Sequence, residues 1–494
     1  MTRRPASGGR RSSRAEPAAA RRLAQLADDG PLRWWPRFRS IRWPLRSWWA
    51  QLDDGWRWAI GILIVQRLVL AIVGLAALGS AFRTVDNEFT ALILPGSDSW
   101  ISLLSMWQRW DALWYEKIAE QGYQATGGST NFSPLFPLLA RFVMLSGLHF
   151  VVGGLLVSSV AFVVALRVVY DLALHDTRKA DRTEPPPGRS RSGFQTRVLG
   201  RAALATRRAR LTVLALALFP SGFFLVAPFT ESLLLLLAAL SLWLARRGCH
   251  WQAGLAGFLA ALTHANGISL VFPLAYEALR GSGLAPGWSE RGRNWLGRWR
   301  VAFALLPIAG AVVWSVYLSI GVGGQAGLLA SALRLAEARL LELARADVTG
   351  ARAQVWQFSP PWELINASAQ YVIHGLPPWG VVRMGTLPDA LSGVELLNLV
   401  CLLAFCGLGI LALRWLPLSY GLFLWPNLLV LMTRQLPYSP LESTNRLVLP
   451  LFPCFMVMAM LLAGHPRTAF LGLAASWLLQ LILFKQFVHW WFIA

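Results

Sequence analysis

The stretch RWAIGILIVQRLVLAIVGLAALGSAF, residues 57–82, decides the fold class. About 20 consecutive apolar residues cross the hydrocarbon of a bilayer as a helix, and this run is longer. Working outward, similar runs recur near 150–173, 211–228, 230–246, 301–320, 394–413, 417–432, 446–463 and 468–488. The stretch 251–279 is apolar too, but it breaks at Thr263-His264-Ala265-Asn266-Gly267 and reads as a hairpin of two short helices. The expectation is an all-α polytopic membrane protein with about 11 transmembrane helices.

Composition agrees. Of 494 residues, 55% are hydrophobic and 14% charged, and mean hydropathy is +0.47. A soluble domain clothes its surface with roughly 25% charged residues. An ordinary globular enzyme, a coiled coil and a disordered chain are thereby excluded. The net charge of +21 comes almost wholly from arginine. Those arginines gather at the ends of apolar runs, which is the positive-inside pattern and not a nucleic-acid footprint. No nucleic-acid partner is expected. Cys249, Cys401, Cys406 and Cys454 lack metal-ligand spacing and read as small buried hydrophobes.

Residues 1–55 are Arg-rich, cannot bury a core and are expected to be disordered. From Trp34 to Trp58 tryptophan alternates with arginine, which suits a headgroup layer. The chain therefore divides into a cytoplasmic tail, 1–55, and a membrane domain, 56–494. Charge parity orders the domain. If 133–149 spanned the membrane, the basic loop 174–210 would be translocated against the positive-inside rule. Arg141, Pro134 and Pro137 also oppose a lipid-facing span there. The run 133–149 is expected as a juxtamembrane helix and 174–210 as a cytoplasmic loop. Two large outer segments remain, 83–149 and 321–393, mixing tryptophan, proline and charge. They are expected to pack over the outer helix ends and enclose a cavity.

Trp107, Trp110, Trp114 and Ile118 recur at helical spacing, a stripe expected to face lipid. Asp111 lies beside it. A carboxylate there either forms a surface pair with Arg109 at a helix start or acts as a general base towards a hydroxyl at the membrane surface. Glu231, in Pro228-Phe229-Thr230-Glu231-Ser232, is either a charge at a helix N-terminus or a site carboxylate. His264 and Asn266, at the tip of the hairpin, need polar partners. Arg446 sits at the mouth of a span, where an arginine either snorkels or clamps a phosphate.

Taken in order, these motifs resemble the PIG-V type mannosyltransferases. The motifs are Arg109-Trp110-Asp111-Ala112 with Tyr115, Phe132-Ser133-Pro134-Leu135-Phe136-Pro137, Ala227-Pro228-Phe229-Thr230-Glu231-Ser232, Leu262-Thr263-His264-Ala265-Asn266-Gly267 and Asn445-Arg446-Leu447-Val448-Leu449-Pro450. That family is related to the second mannosyltransferase of GPI-anchor assembly and has bacterial members. The resemblance covers roughly residues 57–490. It implies a GT-C type bundle with its active site on the outer face and a polyprenyl-phosphate sugar, usually mannose, as donor. By the same resemblance Asp111 takes the catalytic position. Arg109, Trp110, Tyr115, Glu231, His264, Asn266 and Arg446 are the substrate-binding candidates. Relatives usually read Thr-Arg-Pro or Thr-Arg-Ser-Asn where this chain has Thr263-His264-Ala265-Asn266. A fixed cation is replaced by a group whose charge depends on pH.

A sugar on a polyprenyl phosphate already carries its leaving group. It needs no nucleotide fold, and the sequence has no Gly-rich fingerprint. Asp111 would take the acceptor proton, while Arg446, helped by His264, would steady the phosphate. One carboxylate without a close carboxylate partner favours direct displacement with inversion. No metal or other cofactor is required, although Asp111 and Glu231 would share an ion if they converge. The expected partners are membrane lipid, the donor, and a glycolipid or glycan acceptor. Rival readings are a lipid-linked substrate transporter or flippase, an O-antigen-ligase-like transferase and a scaffold without a site. Arginine in preference to lysine points to a bacterial inner membrane with the site facing outward. In an ER membrane the sequon Asn366-Ala367-Ser368 would also matter.

Overall fold

The computed structural model describes residues 49, 51–78, 92–94, 101–124, 128–180, 191–281, 295–322, 357–374, 388–435, 439–491 and 493. Asp54–Ala494 forms one compact unit. Most of the expected tail and most of segment 321–393 lie outside the described residues.

The helices run in chain order as α1 (Asp54–Leu78), α2 (Ser102–Ser105), α3 (Asp111–Gln121), α4 (Leu135–Met144), α5 (Phe150–Ala180) and α6 (Arg191–Ala217). Then come α7 (Glu231–Arg246), α8 (His250–Thr263), α9 (Val271–Gly281), α10 (Trp295–Ala304) and α11 (Leu306–Gly321). The last are α12 (Pro361–His374), α13 (Pro388–Trp415), α14 (Leu418–Thr433), α15 (Thr444–Leu447), α16 (Phe452–Leu462) and α17 (Pro466–Val488). Among the described residues the sheet is a single antiparallel ladder of β1 (Gln357–Phe358) and β2 (Arg434–Gln435). The protein is an all-α membrane protein. Among the described residues, four segments are long and apolar enough to cross a bilayer: α1, Phe150–Asp176 within α5, Val394–Trp415 within α13, and α17.

α1 shows how such a helix divides its faces. Ile64, Leu68, Ile72 and Leu75 are exposed on one side. Ile62, Gln66, Leu70 and Gly74 are buried on the other. A helix apolar on both faces needs lipid on the outer one.

The apolar run 211–228 does not become one span. α6 stops at Ala217, and a 3-10 turn, Gly222–Leu225, begins a buried non-helical passage to α7. Pro220 offers no N–H to continue the helix. The carbonyls left over at the break would be costly in an apolar interior. Side chains from two spans meet them. Gln480 Nε2 donates to the carbonyls of Ala217 at 2.9 Å and Phe219 at 2.8 Å. Gln66 Nε2 donates to Ala217 at 3.2 Å and Gly222 at 3.3 Å. Ser476 Oγ donates to Leu218 at 2.6 Å. Gly222 is obligatory here, because a Cβ on it would lie 2.5 Å from the Ala217 carbonyl oxygen.

The hairpin 251–279 breaks where expected. α8 ends at Thr263, a 3-10 turn covers Ala265–Leu270, and α9 follows. Gly267 folds back on α8 so closely that a Cβ would lie 2.3 Å from the Ala260 carbonyl carbon. The run 301–320 is divided between α10 and α11 at Leu305. The segment 133–149 holds the ten-residue α4, which at about 1.5 Å per residue is too short to cross.

The expected tryptophan stripe is also corrected. Trp107 and Trp110 precede α3, because Trp110 has φ +54° and the helix starts only at Asp111. The tryptophan stripe is therefore not one lipid-facing helix face. Trp107 and Ile118 are buried, the former 5.1 Å from Phe484 with the Arg67 guanidinium 5.2 Å from its ring.

Two carboxylates fasten helix ends far from that region. Asp54 accepts from Arg210 at 2.9 and 2.7 Å and from Tyr170 at 2.5 Å, joining α1, α5 and α6. Asp176 accepts from Arg246 Nη2 at 2.6 Å and Tyr420 at 2.5 Å, joining α5, α7 and α14. All four cysteines are free thiols, with Cys401 and Cys454 buried.

Candidate active site

Three segments far apart in sequence deliver the central residues. Asp111 opens α3 directly after the left-handed Trp110. A carboxylate at that position is favoured by the helix dipole. Glu231 opens α7, so the passage that ends α6 also delivers this carboxylate. Arg446 lies in α15, just beyond Ser443, which has φ +65°.

The loop before Arg446 is fixed by buried polar groups. Asn445 N donates to Asn398 Oδ1 at 2.9 Å, and Asn445 Nδ2 to the Ile493 carbonyl at 2.9 Å. Ser221 Oγ donates to the Asn445 carbonyl at 2.6 Å. Glu395 accepts from the Leu441 amide at 3.2 Å and from the Ser439 hydroxyl. Asn398 and Glu395 both come from α13, which therefore holds the arginine's support in place.

Arg446 Nη1 donates to Asp111 Oδ2 at 2.7 Å. Its Nε lies 3.0 Å from Glu231 Oε1. The Phe224 and Phe229 rings, centred 5.4 and 5.5 Å from the guanidinium carbon, flank it. Side-chain exposure falls from 26% at Asp111 to 14% at Arg446 and 5% at Glu231. One cation is thus shared between an accessible and a buried carboxylate. The pairing of Asp111 is with Arg446, not with the adjacent Arg109.

Tyr115 stands four residues along α3 from Asp111. It is buried against Phe132, Phe136 and Phe229, with its hydroxyl 3.5 Å from Thr230 Oγ1. Burial, with the charges of Asp111 and Glu231, pushes its phenol well above the usual range. It stays a neutral donor facing the ion pairs. His264 Nδ1 accepts from the Asn266 amide at 3.2 Å, closing the hairpin tip. Burial, then Arg446 and Arg434, press the imidazole down to about 3. The histidine that the sequence reads as pH-dependent is therefore neutral at physiological pH, with its remaining proton on Nε2. Asn266 is a turn residue whose carbonyl accepts from Ser269 Oγ at 2.7 Å.

Two candidates go elsewhere. Arg109 is buried, donates to the carbonyls of Val488 at 3.0 Å, Ser105 at 2.7 Å and Gln108 at 2.9 Å, and lies 4.5 Å from the Trp490 ring. It ties α2 and the start of α3 to the end of α17 and does not join the ion pairs. Trp110 packs edge-on against Trp490 at 6.2 Å. Its contribution is the backbone turn that sets Asp111.

Two further charges belong to the cluster. Arg434, at the start of β2, feels Glu442 and Arg446, and burial lowers it. Burial pushes Glu442 up to about 7, against the pull of Arg434, with Asp111 also raising it. The sequence offers one signal for them: both flank Pro437 and Pro440 just before Arg446.

Comparison with protein-family models, with curated proteins and with solved structures gives no match for this chain.

Proposed function

We propose that this chain is a membrane glycosyltransferase. It moves a sugar, mannose in the first instance, from a polyprenyl phosphate to a hydroxyl of a glycolipid or glycan, with inversion. The observation that carries the reading is the convergence of Asp111, Arg446 and Glu231 from three distant segments, with Asp111 the most accessible of the three. The motif order that resembles the PIG-V type enzymes supports the same choice of residues.

The chemistry follows from the donor groups. The acceptor hydroxyl loses its proton to the Asp111 carboxylate as its oxygen bonds to the anomeric carbon. The bond from that carbon to the phosphate oxygen breaks, and its electron pair leaves with the polyprenyl phosphate. Arg446 engages the carboxylates through Nη1 and Nε. Nη2, in neither contact, is the donor for a phosphate oxygen. The Nε2–H of neutral His264 and the cation of Arg434 supply further stabilisation of the departing charge. Glu231 fixes the guanidinium and takes no proton in this scheme. In the same reading the body is a GT-C type bundle of about 11 membrane helices, with the prenyl chain held between them.

The test is a transfer assay. Purified full-length protein in lipid nanodiscs is given radiolabelled polyprenyl-phosphate mannose and candidate glycolipids. Label moving to a glycolipid with release of polyprenyl phosphate supports the proposal. Donor left intact with every sugar and acceptor class, while the same protein moves lipid-linked substrate across vesicle membranes, would favour the transporter reading.

A further inference from the structure

A second polar cluster lies on the same helix as Asp111 but outside the ion pairs. Glu116 and Glu120 are one turn apart on α3, and His149 immediately precedes α5. One ligand atom from each lies within 4.8 Å of the other two. Glu116 is fully buried. Its Oε2 accepts from Gln108 Nε2 at 2.8 Å. Its Oε1 is buried with no hydrogen-bond partner and points at His149 Nε2, 3.4 Å away. A buried carboxylate oxygen in that state is costly unless something completes it.

We infer that Glu116, Glu120 and His149 form a binding site for a divalent transition-metal ion of the zinc class. One imidazole and two carboxylates are a donor set that such ions accept. Bonds of about 2.1 Å to an imidazole nitrogen and a carboxylate oxygen fit ligand atoms a little over 3 Å apart. That is the Glu116–His149 spacing. Glu120 is exposed, and its carboxylate has only to turn slightly inward. His149 is about a third exposed, so an ion can enter from solvent and keep water on its open side. Gln108 is then the outer partner that orients the buried carboxylate. Binding through Nε2 puts the imidazole proton on Nδ1, giving up the long 3.3 Å bond from the Val151 amide.

An ion there would join α3 to the start of α5. Asp111 opens α3 five residues before Glu116, so the ion would steady the helix that presents it. The inference does not depend on the transferase reading, and its test uses no substrate.

Tag-free full-length protein in detergent is stripped with chelator and titrated with Zn2+ by calorimetry. Wild type is expected to bind one ion per chain at this site, as His465→Ala should as well. Glu120→Ala and His149→Ala should each weaken binding by roughly tenfold or more, and Glu116→Gln should abolish it. Glu120 is on the surface, so its variant decides the matter even if Glu116→Gln fails to fold. Wild-type protein that takes no Zn2+, or Zn2+ binding unchanged by both Glu120→Ala and His149→Ala, overturns the proposal. The Glu116–His149 contact would then be a hydrogen bond alone.

Discussion

Arg446 Nη1 reaches Asp111 Oδ2 at 2.7 Å across 335 residues of sequence. The same guanidinium sits 3.0 Å from Glu231. Removing it leaves two carboxylates facing each other, one of them almost wholly buried. Breaking a buried pair from one side costs roughly 3–5 kcal/mol, far more than the pair's own net worth. Arg446→Met should therefore lower stability by about 3 kcal/mol. Adding Glu231→Gln removes one orphaned charge and should recover about 1 kcal/mol or more of that loss. Thermal unfolding of the purified protein in detergent reads both. Strictly additive losses would mean that Glu231 and Arg446 do not interact.

Ser443 holds φ +65° just before Arg446. That region is open to glycine and hostile to β-branched side chains. Ser443→Gly should be tolerated, with stability within about 1 kcal/mol of wild type. Ser443→Val should lose about 2 kcal/mol and misplace Arg446. Melting temperatures of the two variants check this. If Val is as well tolerated as Gly, the turn does not set the arginine.

Glu116 supplies a pH dependence. Its folded value is about 8 against an ordinary 4.5, because burial disfavours the charge, while Gln108 opposes and Glu120 adds to the rise. The folded state therefore binds more protons than the unfolded state between those values, and stability falls as pH rises. The contribution is full below about 4.5, is lost progressively up to about 8, and is flat beyond. With chelator present, wild type should lose stability relative to Glu116→Gln between pH 5 and pH 8. Parallel pH profiles for the two proteins would show that Glu116 does not titrate in this way.

The membrane class was legible because hydrocarbon demands long apolar runs, and α1 and α17 are such runs. The hairpin break at His264 was legible because polar residues interrupt an apolar stretch. The end of α6 was not. Its run is apolar enough to read as one span in spite of Pro220-Ser221-Gly222, and Gln66, Gln480 and Ser476, distant in sequence, supply donors that allow the backbone to leave the helix. Asp111, Glu231 and Arg446 were each singled out, but their mutual contacts are tertiary and no local pattern contains them. Closeness in sequence makes Arg109 one of the two readings offered for Asp111. The left-handed Trp110 between them turns the two side chains apart, and Arg109 spends its donors on carbonyls. Glu116 and His149 gave no sequence signal at all, since each is a single polar residue on a separate element.

The most direct test of the central claim is sugar transfer by Asp111→Asn, measured beside wild type with melting temperature as the control for folding. Asparagine still accepts from Arg446, and Glu231 still balances the guanidinium, so the fold should persist. A lost general base lowers rates by roughly 10²–10⁴-fold, and transfer from labelled polyprenyl-phosphate mannose should fall about a thousandfold. A folded Asp111→Asn protein that transfers sugar at the wild-type rate would contradict the account.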